Sequence, residues 1–223
     1  MDYDQLYESK NEVYYSHQRQ ELLPYIPIGI KKALDIGCGD GAFGSILKQH
    51  TNCEIWGIEP SKAAADMAVP KLDKVITGLF SKNLPELSGQ TFDAIFFNDV
   101  LEHLVNPDEI LTQCKNFLNA NGYIVASIPN IRWYPVILSL LRYKDFKYEN
   151  AGVMDKTHMR FFTKKSMIRM FENSGYKVLT IDGINKNKSF KFFNLLNLLL
   201  LGTQEDMKYP QFVIVATLPA NAR

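Results

Sequence analysis

The chain has 223 residues, 46% of them hydrophobic and 22% charged, enough for one sizeable core and so a single domain over 1–223. Its 25 basic and 24 acidic side chains leave a net charge of +1, which offers no field for a polyphosphate backbone and argues against nucleic acid as a partner. Cys38, Cys53 and Cys114 stand far apart with no Cys-x-x-Cys pair, which excludes a disulfide framework and a cysteine zinc site and favours a reducing, cytoplasmic setting.

Residues 1–30 read as a helical lid. The start, Met1-Asp2-Tyr3-Asp4-Gln5, lacks the basic segment and apolar core of a signal peptide. The mix of Tyr, Leu and Val with polar residues up to Pro24 and Pro27 predicts one or two short helices. Over 31–130 apolar strands alternate with helical stretches: 32–36, 54–58, 74–77, 93–98 and 122–128 read as strands, a rhythm that predicts a parallel sheet. Ser61 after Pro60, and Asn106 before Pro107-Asp108-Glu109, mark helix starts with a cap, a first-turn proline and acids matched to the helix dipole.

At Ile131 the rhythm breaks into an insertion, 131–162, rich in Trp, Tyr, Leu and Arg and predicted to cover a substrate at the carboxyl end of the sheet. Over 163–223, Thr163 caps a helix that ends at Gly175, 176–181 reads as a strand and 212–218 as the last one. Two apolar stretches, 133–141 and 192–201, fall in connections and are shorter than the roughly 20 residues that span a bilayer. They are expected to bury against the sheet or to form a homodimer contact. Lys186, Lys188 and Lys191 leave peripheral membrane contact as the alternative.

The densest motif is Ala33-Leu34-Asp35-Ile36-Gly37-Cys38-Gly39-Asp40-Gly41, a strand running into a glycine turn. Both Gly37-x-Gly39-x-x-Ala42 and Gly39-x-Gly41-x-x-Gly44 satisfy a dinucleotide fingerprint, and Glu59 follows at about the expected 20 residues. On this pattern alone an NAD-dependent oxidoreductase stays open. Asp35 discriminates, because a carboxylate beside the turn repels a pyrophosphate, whereas the sulfonium and ammonium of S-adenosylmethionine suit it. Glu59 would then accept hydrogen bonds from the ribose hydroxyls.

Together with Ile58-Glu59-Pro60, Phe92-Asp93-Ala94-Ile95 and Asp99-Val100-Leu101-Glu102-His103-Leu104, this motif resembles the class I S-adenosylmethionine-dependent methyltransferases over most of residues 30–183. The string Asp155-Lys156-Thr157-His158-Met159-Arg160-Phe161-Phe162-Thr163 is similar to the subgroup found in bacterial surface-polysaccharide pathways. The resemblance implies a Rossmann-like α/β fold: a doubly wound, mostly parallel seven-stranded sheet with helices on both faces and its last strand antiparallel. It implies that Gly37, Gly39 and Gly41 lie against the methionine and ribose portions, that Glu59 binds the ribose and that Pro60 lies by the adenine. Asn98, Asp99 and Val100 would face the methionine portion and the transferred methyl. Tyr14 and Tyr15 fall where such enzymes close a lid, with Arg19 able to pair with the cofactor carboxylate; a plain hydrophobic staple is the other reading. The sequence departs from many relatives after the third strand, where Gly78 is followed by Leu79 and Phe80 rather than by an acid that reaches the adenine amine.

Methyl transfer from a sulfonium is an in-line displacement, and a hydroxyl acceptor also needs a base. His158 is the first candidate base, with Asp155 to orient it, and His103 is the second. No metal is expected: Asn98-Asp99 offers oxygen ligands, but no second acidic cluster matches it. The sequence thus reads as an S-adenosylmethionine-dependent methyltransferase acting on oxygen of a sugar, glycan or other small-molecule acceptor. A catalytically inactive S-adenosylmethionine-binding partner protein and an NAD-dependent oxidoreductase are the alternatives.

Overall fold

In the computed structural model, residues 18–186, Phe193, Asn197 and 201–219 are described. Tyr14 and Tyr15 of the expected lid, and most of the apolar stretch 192–201, lie outside these residues. Seven strands form one sheet in the order β3-β2-β1-β4-β5-β7-β6. Strands β1 (Lys32–Ile36), β2 (Glu54–Glu59), β3 (Lys74–Thr77), β4 (Phe92–Asn98) and β5 (Leu118–Pro129) are mutually parallel. Strand β7 (Gln211–Thr217) inserts between β5 and β6 (Lys177–Ile184), antiparallel to both. This is the seven-stranded α/β arrangement that the resemblance implies.

The central strands β1, β2 and β4 are buried along almost their whole length because both faces of the sheet are covered there. Alternate residues serve opposite layers: Leu34, Ile36, Ile95 and Phe97 pack against Leu111, Met167 and Phe171, while Ala33, Ala94 and Phe96 pack against Phe43, Leu47 and Leu72. Helices α3 (Pro107–Cys114) and α5 (Lys164–Asn173) thus lie on one face, with α1 (Ala42–Thr51) and α2 (Lys62–Ala68) on the other. Ser61 caps α2, its side chain accepting from the Ala64 N–H, and Thr163 caps α5 in a reciprocal capping box with Ser166. Asn106 precedes α3 as expected but makes no side-chain cap; its backbone (φ −128°, ψ 72°) lies outside the extended region usual for a capping residue.

Within the insertion only α4 (Tyr134–Tyr143) is regular. It buries Tyr134 and Val136, against Phe193 and against Val153 and Met154 respectively, and leaves Leu138, Leu141 and Tyr143 exposed. The N-terminal segment contributes a short 3-10 turn, Gln20–Tyr25, that buries Leu22 against the sheet. Among the described residues no helix is long and apolar enough to cross a membrane.

The chain order runs outward from β1 to β2 and β3 on one side, then returns to β4 on the other. That reversal opens a crevice beyond the carboxyl ends of β1 and β4, where the site lies.

Candidate active site

The turn after β1 forms the floor. Gly37 and Gly39 adopt φ of 73° and 54°, a left-handed backbone that other residues rarely accept. The Gly37 and Cys38 N–H groups donate to the Ile58 carbonyl at 2.8 and 3.2 Å, which locks the turn to the end of β2. A Cβ on Gly37 would lie 2.6 Å from Val100 Cγ2, so the absent side chain lets β1 and the segment after β4 close together. Glu59 is 5% exposed, and each of its oxygens accepts one backbone N–H, from Gly39 and from Ser61, both at 2.9 Å. Burial raises its pKa, while those two donors oppose the rise.

Asp35, next to last in β1, is 1% exposed. Burial, with the charge of Glu59 adding to it, pushes its carboxyl up to about 8. The Asn98 amide nitrogen lies 3.5 Å from Asp35 Oδ1, and Asn98 Oδ1 is buried without a hydrogen-bond partner among the described residues. A buried acid that resists ionisation, beside an amide oxygen lacking a donor, fits a ligand that brings positive charge and N–H groups. This is the fit expected for the methionine end of S-adenosylmethionine, and a pyrophosphate would worsen both deficits.

These groups line one cavity of about 590 Å3, together with Pro60, Gly78, Leu79, Phe80 and Val100. Gly41 lines no part of it. Its φ of 79° turns the chain into α1, and a Cβ there would lie 3.1 Å from that of Ala68, so its missing side chain serves helix packing. Arg19, expected to meet a cofactor carboxylate, pairs with Asp99, which also accepts from Gln211 and, at 3.2 Å, from Ser127. Asp99 holds φ at 55° and lines the cavity beside this cluster.

The far wall joins the 3-10 turn Leu101–His103 to the end of the insertion. The Met159 and Arg160 N–H groups donate to the Glu102 carbonyl at 2.8 and 3.0 Å, and this brings His158 over His103 with ring centroids 4.8 Å apart. Both candidate bases therefore converge on one spot. Glu102 Oε1 lies 3.9 Å from His158 Nε2, a carboxylate beside this ring in addition to the expected Asp155. Asp155 accepts from the Thr157 N–H and hydroxyl at 2.9 and 2.7 Å. Glu102 is 1% exposed, and burial raises its carboxyl to about 8. Sequence reasoning left Glu102 out, although its place beside His103 was a signal. Together Glu102, His103 and His158 offer one ligand atom each within 4.8 Å of one another, the group among the described residues able to hold a metal ion.

Comparisons with known proteins agree with this geometry. A family model described as a methyltransferase domain matches residues 7–181. The ubiquinone biosynthesis O-methyltransferase of Vibrio atlanticus is 24% identical over 187 residues, covering 80% of this chain and 74% of the relative. A SAM-dependent methyltransferase from Archaeoglobus fulgidus superposes with a TM-score of 0.63 at 19% identity, over 96% of this chain and 97% of the other. The [4+2]-cyclase SpnF also superposes, with a TM-score of 0.59 at 14% identity over 90% of this chain and 80% of the other. The shared fold therefore does not by itself specify the reaction.

Proposed function

Because the chain belongs to the methyltransferase-domain family and uses S-adenosylmethionine, we propose that it methylates a hydroxyl oxygen of a small-molecule or glycan acceptor. The observation that carries this reading is the continuous cavity that joins the Asp35–Glu59 floor to the Glu102–His103–His158 wall. When bound, S-adenosylmethionine supplies an electrophilic methyl on a sulfonium. The chain's own residues do the rest. Asp35 and Asn98 receive the cationic end, Glu59 keeps lone pairs for ribose hydroxyls beyond the two it gives to Gly39 and Ser61, and the glycine turn allows close approach. The wall opposite presents two imidazoles where an acceptor hydroxyl would enter, and alignment across the cavity supplies much of the acceleration.

Leu104, Val105, Ile110 and Val153 beside Asn106 and Glu109 give the acceptor end a mixed apolar and polar lining. That lining suits a ring bearing hydroxyls, a sugar in the first reading. The name of the Vibrio relative favours a second reading, a phenolic hydroxyl on a quinone precursor. Cys38, Cys53 and Cys114 are buried free thiols, which supports a cytoplasmic setting. The test is formation of S-adenosylhomocysteine against a panel of nucleotide sugars, glycans and catechols. Turnover of a hydroxyl acceptor is expected, and turnover of amine acceptors alone would overturn the proposal.

A further inference from the structure

A second cavity, of about 140 Å3, lies between α4 and the segment 145–154. Val153 lines both this cavity and the acceptor end of the first, so the two spaces meet at one side chain. The Val153 carbonyl oxygen lies 3.2 Å from His158 Nδ1, which ties the partition to the first candidate base. Trp133, Val136 and Leu140 supply apolar lining, and Asp145, Lys147 and Glu149 supply charge of both signs. The walls are fixed by backbone hydrogen bonds. The Trp133 N–H donates to the Asn130 carbonyl at 3.0 Å, and the Asn130 amide donates in turn to the Asp206 and Tyr209 carbonyls, both at 2.9 Å. In the facing segment the Glu149 N–H donates to the Met154 carbonyl at 2.8 Å. One deficit remains in this wall: the Trp133 indole N–H is buried without an acceptor among the described residues, where such a group ordinarily has one.

We propose that this cavity is a subsite for the neighbouring sugar ring of an oligosaccharide acceptor, whose methylated ring occupies the main cavity on the other side of Val153. The lining discriminates among occupants. An apolar chain offers nothing to the indole N–H or to the three charged groups. An anion meets two carboxylates against one ammonium, which disfavours a phosphate or diphosphate here. A sugar ring has an apolar C–H face for Trp133 and oxygens that accept from its indole N–H, while its hydroxyls both donate to Asp145 and Glu149 and accept from Lys147. A space of about 140 Å3 suits one such ring, being well below the roughly 300–1,000 Å3 of a site for a whole ligand. The inference rests on the hydroxyl-acceptor reading and narrows it to a disaccharide or longer glycan. Trp133, Lys147 and Glu149 are then specificity-determining residues: by holding the second ring they select the linkage, and so which hydroxyl of the first ring faces the His103–His158 wall.

Fluorine NMR of the full chain labelled with fluorotryptophan, with S-adenosylhomocysteine present, tests the subsite by binding alone. Trp56, the other tryptophan, lines neither cavity and lies between the Lys32 and Lys74 ammonium groups, so it is the internal reference, and Trp133→Phe assigns the reporting line. Methyl hexosides and deoxyhexosides are titrated beside the disaccharides built from them, with an octyl-substituted catechol as the apolar-tailed probe. A disaccharide that moves the Trp133 line and not that of Trp56, and binds at least about tenfold tighter than its methyl monosaccharide, is expected. Lys147→Met and Glu149→Gln change exposed side chains, so both should fold, as thermal melts verify, and each should remove most of that advantage; Lys165→Met, exposed on α5, leaves it intact. No movement of Trp133 by any sugar, equal binding of mono- and disaccharides, or movement by the octyl catechol alone would overturn the subsite. If disaccharides bind as expected while only amine acceptors are methylated, the subsite stands and the hydroxyl-acceptor reading falls. If single sugars or catechols are methylated equally by wild type and both loop variants while the Trp133 line stays still, the subsite falls and that reading stands.

Discussion

Gly37→Ala tests whether the turn after β1 is built by close approach. Two costs are separable. The new Cβ requires an alanine at φ 73°, about 1–2 kcal/mol in the left-handed region. It also lies 2.6 Å from Val100 Cγ2, roughly 1 Å inside ordinary contact, and overpacking of that kind costs about 1–3 kcal/mol. The sum is a destabilisation of about 2–5 kcal/mol, read as a shift of the urea midpoint at constant slope. Val100→Ala separates the terms, because the remaining Val100 Cβ lies 3.8 Å from the point where a Cβ on Gly37 would stand, an ordinary contact. In that background Gly37→Ala should cost only the backbone share, and a double-mutant cycle isolates the difference. A neutral Gly37→Ala, or an equal cost in both backgrounds, would refute the packing argument.

Asp35 makes the pH dependence of the free protein run against the usual direction for carboxylates. Its carboxyl rises from 3.8 to about 8, so between those values the folded chain keeps a proton that the unfolded chain has released. That stabilisation is complete below 3.8 and is lost as pH climbs through about 8; Asp35→Asn should flatten the decline in thermal melts. Cofactor binding near neutral pH should release a proton from Asp35, visible as a calorimetric enthalpy that changes with buffer ionisation enthalpy. Glu59→Ala removes the acceptor shared by Gly39 and Ser61 and should weaken S-adenosylhomocysteine binding by about 1–3 kcal/mol, measured by the same calorimetry. Thr163→Ala breaks the capping box of α5 and should cost about 1 kcal/mol in denaturant melts, with cofactor affinity unchanged.

What was legible in the sequence is what local chemistry decides. The strand, glycine turn and acid at Glu59 constrain one another within a single β-α-β unit, so Asp35, Gly37, Gly39 and Glu59 were readable as one floor. Thr163 was readable as a cap because capping needs only its own helix. The fingerprint spacing could not show that Gly41 also packs closely on Ala68 and Leu72, because that contact joins the turn to a separate helix. The Arg19–Asp99–Gln211 cluster draws on three distant segments, and nothing local to any of them marks the other two. Likewise the approach of Glu102 to His158 joins two distant segments, and nothing local to either marks it.

Isothermal titration of the full chain with S-adenosylhomocysteine, beside NAD and NADP, tests the account most directly. Selective one-to-one micromolar binding of S-adenosylhomocysteine, reduced in Asp35→Asn and Glu59→Ala, is the predicted result. Preference for NAD or NADP, or no binding of S-adenosylhomocysteine, would contradict the reading of the Asp35–Asn98–Glu59 floor and the methyl-transfer function built on it.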